Sequence, residues 1–261
     1  MRPVPAGRSP ERLSGVWAEL RDAPVKEPLV LLPDMMCDAR LFAPQIAAFS
    51  RDTAVMVAPI TGGERIEEIS SDLLSVLPAK FALAGAGMGG AIAMELLRRA
   101  PDRITRIALI ATTPLAETPQ EAAAREPQMI AAKTGRLGEI LRERLKAAGI
   151  GPGAGRMPAL NMALSMGADL GAEIFVRQSR AMQRRRDQQT VLQRCAIPAL
   201  VLCGAHDTVT PVKRHVSMAD FLPAAELVVI DAAGHLPSLE TPEETTEALA
   251  DWLKRPGAAR R

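Results

Sequence analysis

The chain has 261 residues, 48% of them hydrophobic and 24% charged, which supplies a large core and excludes an intrinsically disordered protein. Thirty-two basic residues against 30 acidic ones leave a formal charge of +2, so no net field draws the chain to nucleic acid or to an anionic membrane. Aromatic residues are only 3%, with no tyrosine, and the three cysteines are dispersed without CxxC spacing, so phenol chemistry, base-stacking platforms, a disulfide framework and a zinc ribbon are all excluded.

Residues 1–12 alternate Pro, Arg and Gly without an apolar signal region, and the weakly polar run 81–94 is too short and glycine-rich to span a bilayer. A cytoplasmic protein is expected. Short β-branched or Leu-rich runs predict strands at 16–20, 29–32, 54–58, 81–84, 107–111, 199–203 and 227–230. Helical periodicity predicts helices at 41–49, 66–77, 90–99, 211–221 and 242–254, with Pro211 and Pro242 as opening residues. This alternation specifies an α/β fold with a mostly parallel central sheet flanked by helices. Between Pro114 and Pro198 the strands stop and helical patterns follow one another, punctuated by Gly151-Pro152-Gly153 and carrying Met162, Leu164 and Met166. Residues 115–195 are therefore expected as an inserted helical cap on a core made of 1–114 and 196–261. The basic tail from Lys254 is expected to be disordered.

The strongest local signal is Gly85-Ala86-Gly87-Met88-Gly89-Gly90, where a strand runs through glycines into a helix. Gly85, Gly87 and Gly90 match the dinucleotide pattern G-x-G-x-x-G, which would make the chain a nucleotide-dependent oxidoreductase. That pattern normally opens its domain and needs a carboxylate after the next strand to hold a ribose. Here some eighty residues, including two core strands, precede Gly85, and the next strand ends in Thr112-Thr113-Pro114. The same segment fits a nucleophile elbow, G-x-S-x-G, with Gly87 in the central position. An elbow expects an acid and then a histidine after later strands, and Asp207 and His235 stand there in Gly204-Ala205-His206-Asp207 and Gly234-His235-Leu236-Pro237.

With these motifs in that order the chain resembles the α/β-hydrolase fold family over nearly its whole length, and especially small bacterial esterase- and lactonase-like members. The resemblance implies His235 as general base and acid, and Asp207 as the carboxylate that orients it. It also implies the backbone amides of Met35 and Met88 as an oxyanion hole. Two residues depart from the pattern. Gly87 stands where a nucleophilic side chain belongs, so no acyl-enzyme can form at that position. Asp34 stands where the oxyanion loop commonly has Gly, at the mouth of the expected pocket, as a possible pocket acid. His206, His215, Asp38 and the run Arg184-Arg185-Arg186 read as structural or solvated side chains, and Cys37 and Cys203 as buried thiols.

Three functional readings follow. The chain is a hydrolase using His235 and Asp207 as a non-covalent acid/base pair, a non-catalytic small-molecule-binding pseudoenzyme, or a serine hydrolase exchanged at position 87. The pocket is expected to take a small, mostly apolar ester, lactone or carbonyl compound, with Met35, Met36 and Met88 as lining and Met162 and Met166 either as lining from the cap or simply as core. No cofactor, metal, nucleic-acid or membrane partner is expected.

Overall fold

The computed structural model describes residues 27–256. The strand expected at 16–20 and the end of the basic tail lie outside them. Six strands, β1 (Leu29–Leu32), β2 (Val55–Val57), β3 (Phe81–Ala86), β4 (Ile104–Ile110), β5 (Ala199–Gly204) and β6 (Ala225–Ile230), form one parallel sheet in the order β2-β1-β3-β4-β5-β6. The helices are α1 (Ala43–Phe49), α2 (Ile66–Val76), α3 (Met88–Arg99), α4 (Pro119–Ala131), α5 (Leu137–Ala147), α6 (Arg156–Gln183), α7 (Gln189–Gln193), α8 (Val212–Phe221), α9 (Pro237–Glu240) and α10 (Pro242–Lys254).

The strands read as unbroken apolar runs because helices cover both sheet faces. Val30, Leu32 and Leu83 pack toward α2 and α3, whereas Leu29, Leu31, Ala82 and Ala84 face the layer that contains Phe49 and the fully buried Trp252. Strand and helix positions match the sequence expectation, with two local differences. The helix expected at 41–49 begins as a 3-10 turn, Ala39–Phe42, capped by the Asp38 side chain. Pro211 precedes α8 in an extended conformation instead of opening it.

Helices α4 to α7 fill the segment between β4 and β5. A capping box between Thr118 and Glu121 starts α4, and Met129, Ile140, Leu141 and Phe175 form a small core of their own. Helix α6 is long and apolar enough by length and composition to cross a membrane, which the run at 81–94 did not foretell. It is broken at Gly171 and packs against α4 and α5.

The strand order reverses around β1 and β3, since β2 lies on one side of β1 and β4 to β6 continue on the far side of β3. At such a reversal the loops leaving the carboxyl ends of the two strands part and frame a crevice. Asp34 follows β1 there and Gly87 follows β3.

Candidate active site

Gly87 links β3 to α3 with φ 48° and ψ −114°, a backbone that side-chain-bearing residues adopt only under strain. Its N–H donates to the Ile110 carbonyl at 2.9 Å. The turn is tight: a Cβ on Gly89 would come within 2.2 Å of the Leu32 carbonyl oxygen. A Cβ on Gly87 would fall 1.8 Å from Asp34 Oδ1 and 2.1 Å from its Cγ. The carboxylate of Asp34 therefore fills the room that the side chain of residue 87 would need.

Asp34 Oδ1 accepts the N–H of Met35 at 2.6 Å and of Met88 at 2.7 Å. Its Oδ2 lies 3.3 Å from His235 Nε2. On the opposite edge of the ring, His235 Nδ1 lies 2.8 Å from Asp207 Oδ2. Asp207 is itself fixed by its own turn: Oδ1 accepts the amides of Val209 and Thr210 at 2.8 and 2.9 Å, and Oδ2 accepts the Thr210 hydroxyl at 2.6 Å. The structure thus brings Asp34, His235 and Asp207 into one row. Asp34 lies beside the Met35 amide, as the sequence reading has it, and its own carboxylate also occupies the second amide of the expected oxyanion hole. A short side chain placed one residue before Met35 folds back onto both amides, and His235 Nε2 meets it above Gly87.

Side-chain exposures of 14% for Asp34, 11% for His235 and 0% for Asp207 make these charges interdependent. Burial alone would lower the His235 pKa, but hydrogen bonds to Asp207 and Asp34, and their charges, raise it to about 10. Burial alone would raise both carboxylates. The hydrogen bond and charge of His235, with the backbone amides, hold Asp34 below the usual range, and His235 and Thr210 do the same for Asp207. At neutral pH the row is carboxylate, imidazolium, carboxylate.

A sequence model of the alpha/beta hydrolase family matches residues 15–248. The chain belongs to the alpha/beta hydrolase family. It is 31% identical over 209 residues to a pimeloyl-[acyl-carrier protein] methyl ester esterase of Aromatoleum aromaticum, covering 74% of this chain and 81% of that protein. It is 24% identical over 264 residues to a putative carbamate hydrolase of Rhizobium rhizogenes, covering 89% and 95%. A solved thermophilic esterase from Thermogutta terrifontis superposes with a TM-score of 0.80 at 25% identity, over 87% of this chain and 89% of that one.

In this hydrolase the row opens into a cavity of about 500 Å³. Met35, Met36 and Met88 line it, as expected, but Met162 and Met166 do not. They pack into the layer around Leu31 and Phe42, and Met166 Sδ accepts the Asp38 amide. Met182 lines the cavity instead, with four arginines, Arg125, Arg144, Arg185 and Arg214, so the wall is far from apolar throughout. Arg185 was expected at the surface with its neighbours. Arg184 and Arg186 do pair outward, with Glu64 and Glu67. Arg185 faces the cavity.

Burial pushes the Cys203 thiol up to about 12, with Asp207 adding to it, and burial, Asp34 and Asp38 likewise raise Cys37. Neither offers a thiolate. His215 is fully buried; its Nε2 accepts the Thr112 amide, and burial lowers its pKa. Sequence reasoning missed Glu240, whose carboxylate accepts the amides of Gly234 and Leu236 on either side of His235 at 2.9 and 2.7 Å. Its only sequence trace is a glutamate five positions past the histidine, a spacing without meaning until α9 folds it back.

Proposed function

We propose that this hydrolase acts on small esters or lactones with Asp34 as its nucleophile, in place of a serine at position 87. One observation carries the reading: Oδ1 of Asp34 is cradled by the Met35 and Met88 amides while Oδ2 faces His235. The ester chemistry named for the relatives and the size of the cavity support the substrate class. The simpler alternative, water activated directly by His235, conflicts with electrostatics. With both neighbouring carboxylates charged, His235 is protonated at neutral pH and has no lone pair for water's proton.

A nucleophilic carboxylate removes that conflict. Oδ2 attacks the acyl carbon, the bond to the alkoxy oxygen breaks, and the leaving oxygen takes the Nε2 proton of His235. Asp34 is now an uncharged mixed anhydride, and His235, neutral and flanked by one carboxylate only, is a base. Water then attacks Cγ of Asp34 and gives its proton to His235. Negative charge develops on Oδ1, which two amides already hold. Collapse expels the substrate's carboxylate carrying the former Oδ2, and Asp34 regains its charge by releasing a proton to solvent.

Single-turnover hydrolysis in H2(18O) with enzyme in excess, followed by peptide mass spectrometry, tests this. The label is expected in Asp34 and not in the first product acid. Label in the product with none in Asp34 overturns it in favour of direct water attack. Absence of turnover across an ester and lactone panel favours the second reading, a binding protein whose oxyanion cradle is plugged by its own carboxylate.

A further inference from the structure

We infer that the cavity takes a ligand carrying an anionic oxygen group, a carboxylate or phosphate, and that Arg144 and Arg185 hold it. The inference rests on this cavity being the substrate site, and not on the chemistry assigned to Asp34. Most of the charges around the cavity pair off; of those without an ion-pair partner among the described residues, Glu143 is exposed, whereas Arg144 and Arg185 are half-buried. Asp34 and Asp207 share His235, Glu117 is paired with Arg125 by a forked contact, and Glu121 with Arg214 at 3.6 Å. Among the described residues neither Arg144 nor Arg185 has a carboxylate within ion-pair distance.

What surrounds them puts no carboxylate in contact with either guanidinium. Arg144 donates to Gln128 Oε1 at 3.2 Å, touches Met35 Sδ at 3.6 Å and lies 5.9 Å over the Phe175 ring. The Nε of Arg185 is buried with no acceptor. Burial lowers the pKa of both, that of Arg144 to about 10; the charge of Arg125 adds to this, while Asp34 and Glu117 oppose it at Arg144 and Glu117 and Glu121 oppose it at Arg185. A guanidinium does not shed its proton in a protein, so a cation desolvated in this way is stabilised only by an anion brought to it.

The placement also suits a substrate. Arg125 and Arg144 both contact the sulfur of Met35, the residue next to Asp34, so the cationic wall adjoins the reacting carboxylate. Planar guanidiniums match the two oxygens of a carboxylate or phosphate in a bidentate pair. A small ester whose far end carries such a group would set its acyl carbon at Asp34 and its charge on this wall.

Isothermal titration of the full chain with succinate, glutarate and inorganic phosphate, at low and raised salt, tests the inference. One anion is expected per chain, with affinity falling as salt rises. Arg144→Met and Arg185→Met are each expected to weaken binding at least about 10-fold, the order of loss for one charged hydrogen-bonding partner. Preference for the dicarboxylates or for phosphate identifies which group the wall takes, and either supports the inference. Without ligand, both methionine variants are expected to melt no lower than the parent, since a half-buried cation without an ion-pair partner has been removed. Absence of saturable binding, binding indifferent to both substitutions, or lower melting of both unliganded variants overturns it. An unlabelled Asp34 in the oxygen-18 experiment leaves these measurements unchanged, so the two readings fail separately.

Discussion

His235 sits between two carboxylates held in different ways. Asp207 takes its other donors from Val209 and Thr210, within three residues along its own turn, and its side chain is sealed from solvent. Asp34 takes one donor from Met35 beside it and the other from Met88, 54 residues away, and remains open to the cavity. The first arrangement is self-contained and fixes an imidazole. The second exists only because β1 and β3 are neighbours and residue 87 has no side chain. One carboxylate lines the cavity, held at one oxygen by two amides and facing the histidine with the other; the second is sealed, with both oxygens engaged by its own turn.

The largest effect is expected from undoing the dependence of Asp34 on Gly87. By sequence alone, Gly87→Ser looks sufficient to restore a serine hydrolase. A Cβ at residue 87 would meet the Asp34 carboxylate, so the introduced serine and Asp34 compete for one place. Gly87→Ser by itself is expected to cost about 1–3 kcal/mol through crowding and backbone strain, and to gain no organophosphonate adduct. Gly87→Ser with Asp34→Gly clears the amides of Met35 and Met88 and sets a hydroxyl near His235. That pair is expected to take the organophosphonate label on the introduced hydroxyl at position 87. It is also expected to hydrolyse short p-nitrophenyl esters at least about 100-fold faster than the single variant, the order that one oxyanion-hole donor contributes. Equal labelling of the two would show that Asp34 yields freely and is no fixed part of the site.

The next effect is electrostatic. An opposite charge in contact shifts a pKa by about 1–3 units, so Asp34→Asn is expected to lower the His235 value of about 10 by at least about one unit. The folded pKa lies above the unfolded value of about 6.5, so this contribution to stability is complete below pH 6.5 and fades as pH rises through 10. In Asp34→Asn the loss is expected to be smaller and to be complete at lower pH. Imidazole proton shifts and urea unfolding between pH 6 and pH 10.5, roughly the span of the two pKa values, measure both. A His235 titration identical in parent and variant would mean that the 3.3 Å contact carries no coupling.

What the sequence made legible follows the same division. Strands β1, β3 and β5 are apolar runs buried on both faces, a property written into consecutive residues, and Asp207 and His235 follow strands whose ends the glycines mark. The carboxylate of Asp34 was visible as an anomaly, but its destination depends on a pairing of β1 with β3 that no local pattern encodes. Arg185 was lost for a related reason. In an Arg184-Arg185-Arg186 run all three look alike, and only the end of α6 turns the middle one inward while its neighbours meet Glu64 and Glu67. Met162 and Met166 were left between lining and core, since helical spacing identifies a buried face without saying which lies against it, and they pack in the core.

The smallest effect tests whether Asp207 is as self-contained as its hydrogen bonds imply. Thr210→Val keeps the shape of the side chain and deletes the 2.6 Å bond from the hydroxyl to Asp207 Oδ2. The carboxylate still accepts the amides of Val209 and Thr210 and still faces His235 Nδ1, so no buried charge is left without donors. A loss of about 1–2 kcal/mol in urea unfolding is expected, the scale of one hydrogen bond to a charged group. The His235 pKa is expected to move by less than about one unit, because the variant removes a neutral donor and leaves both charges in place. No equivalent substitution exists at Asp34, whose two amide donors are backbone. A titration shift in Thr210→Val as large as that in Asp34→Asn would mean that the hydroxyl, and not the turn, sets the position of Asp207. The contrast between a self-held and a borrowed carboxylate would then be lost.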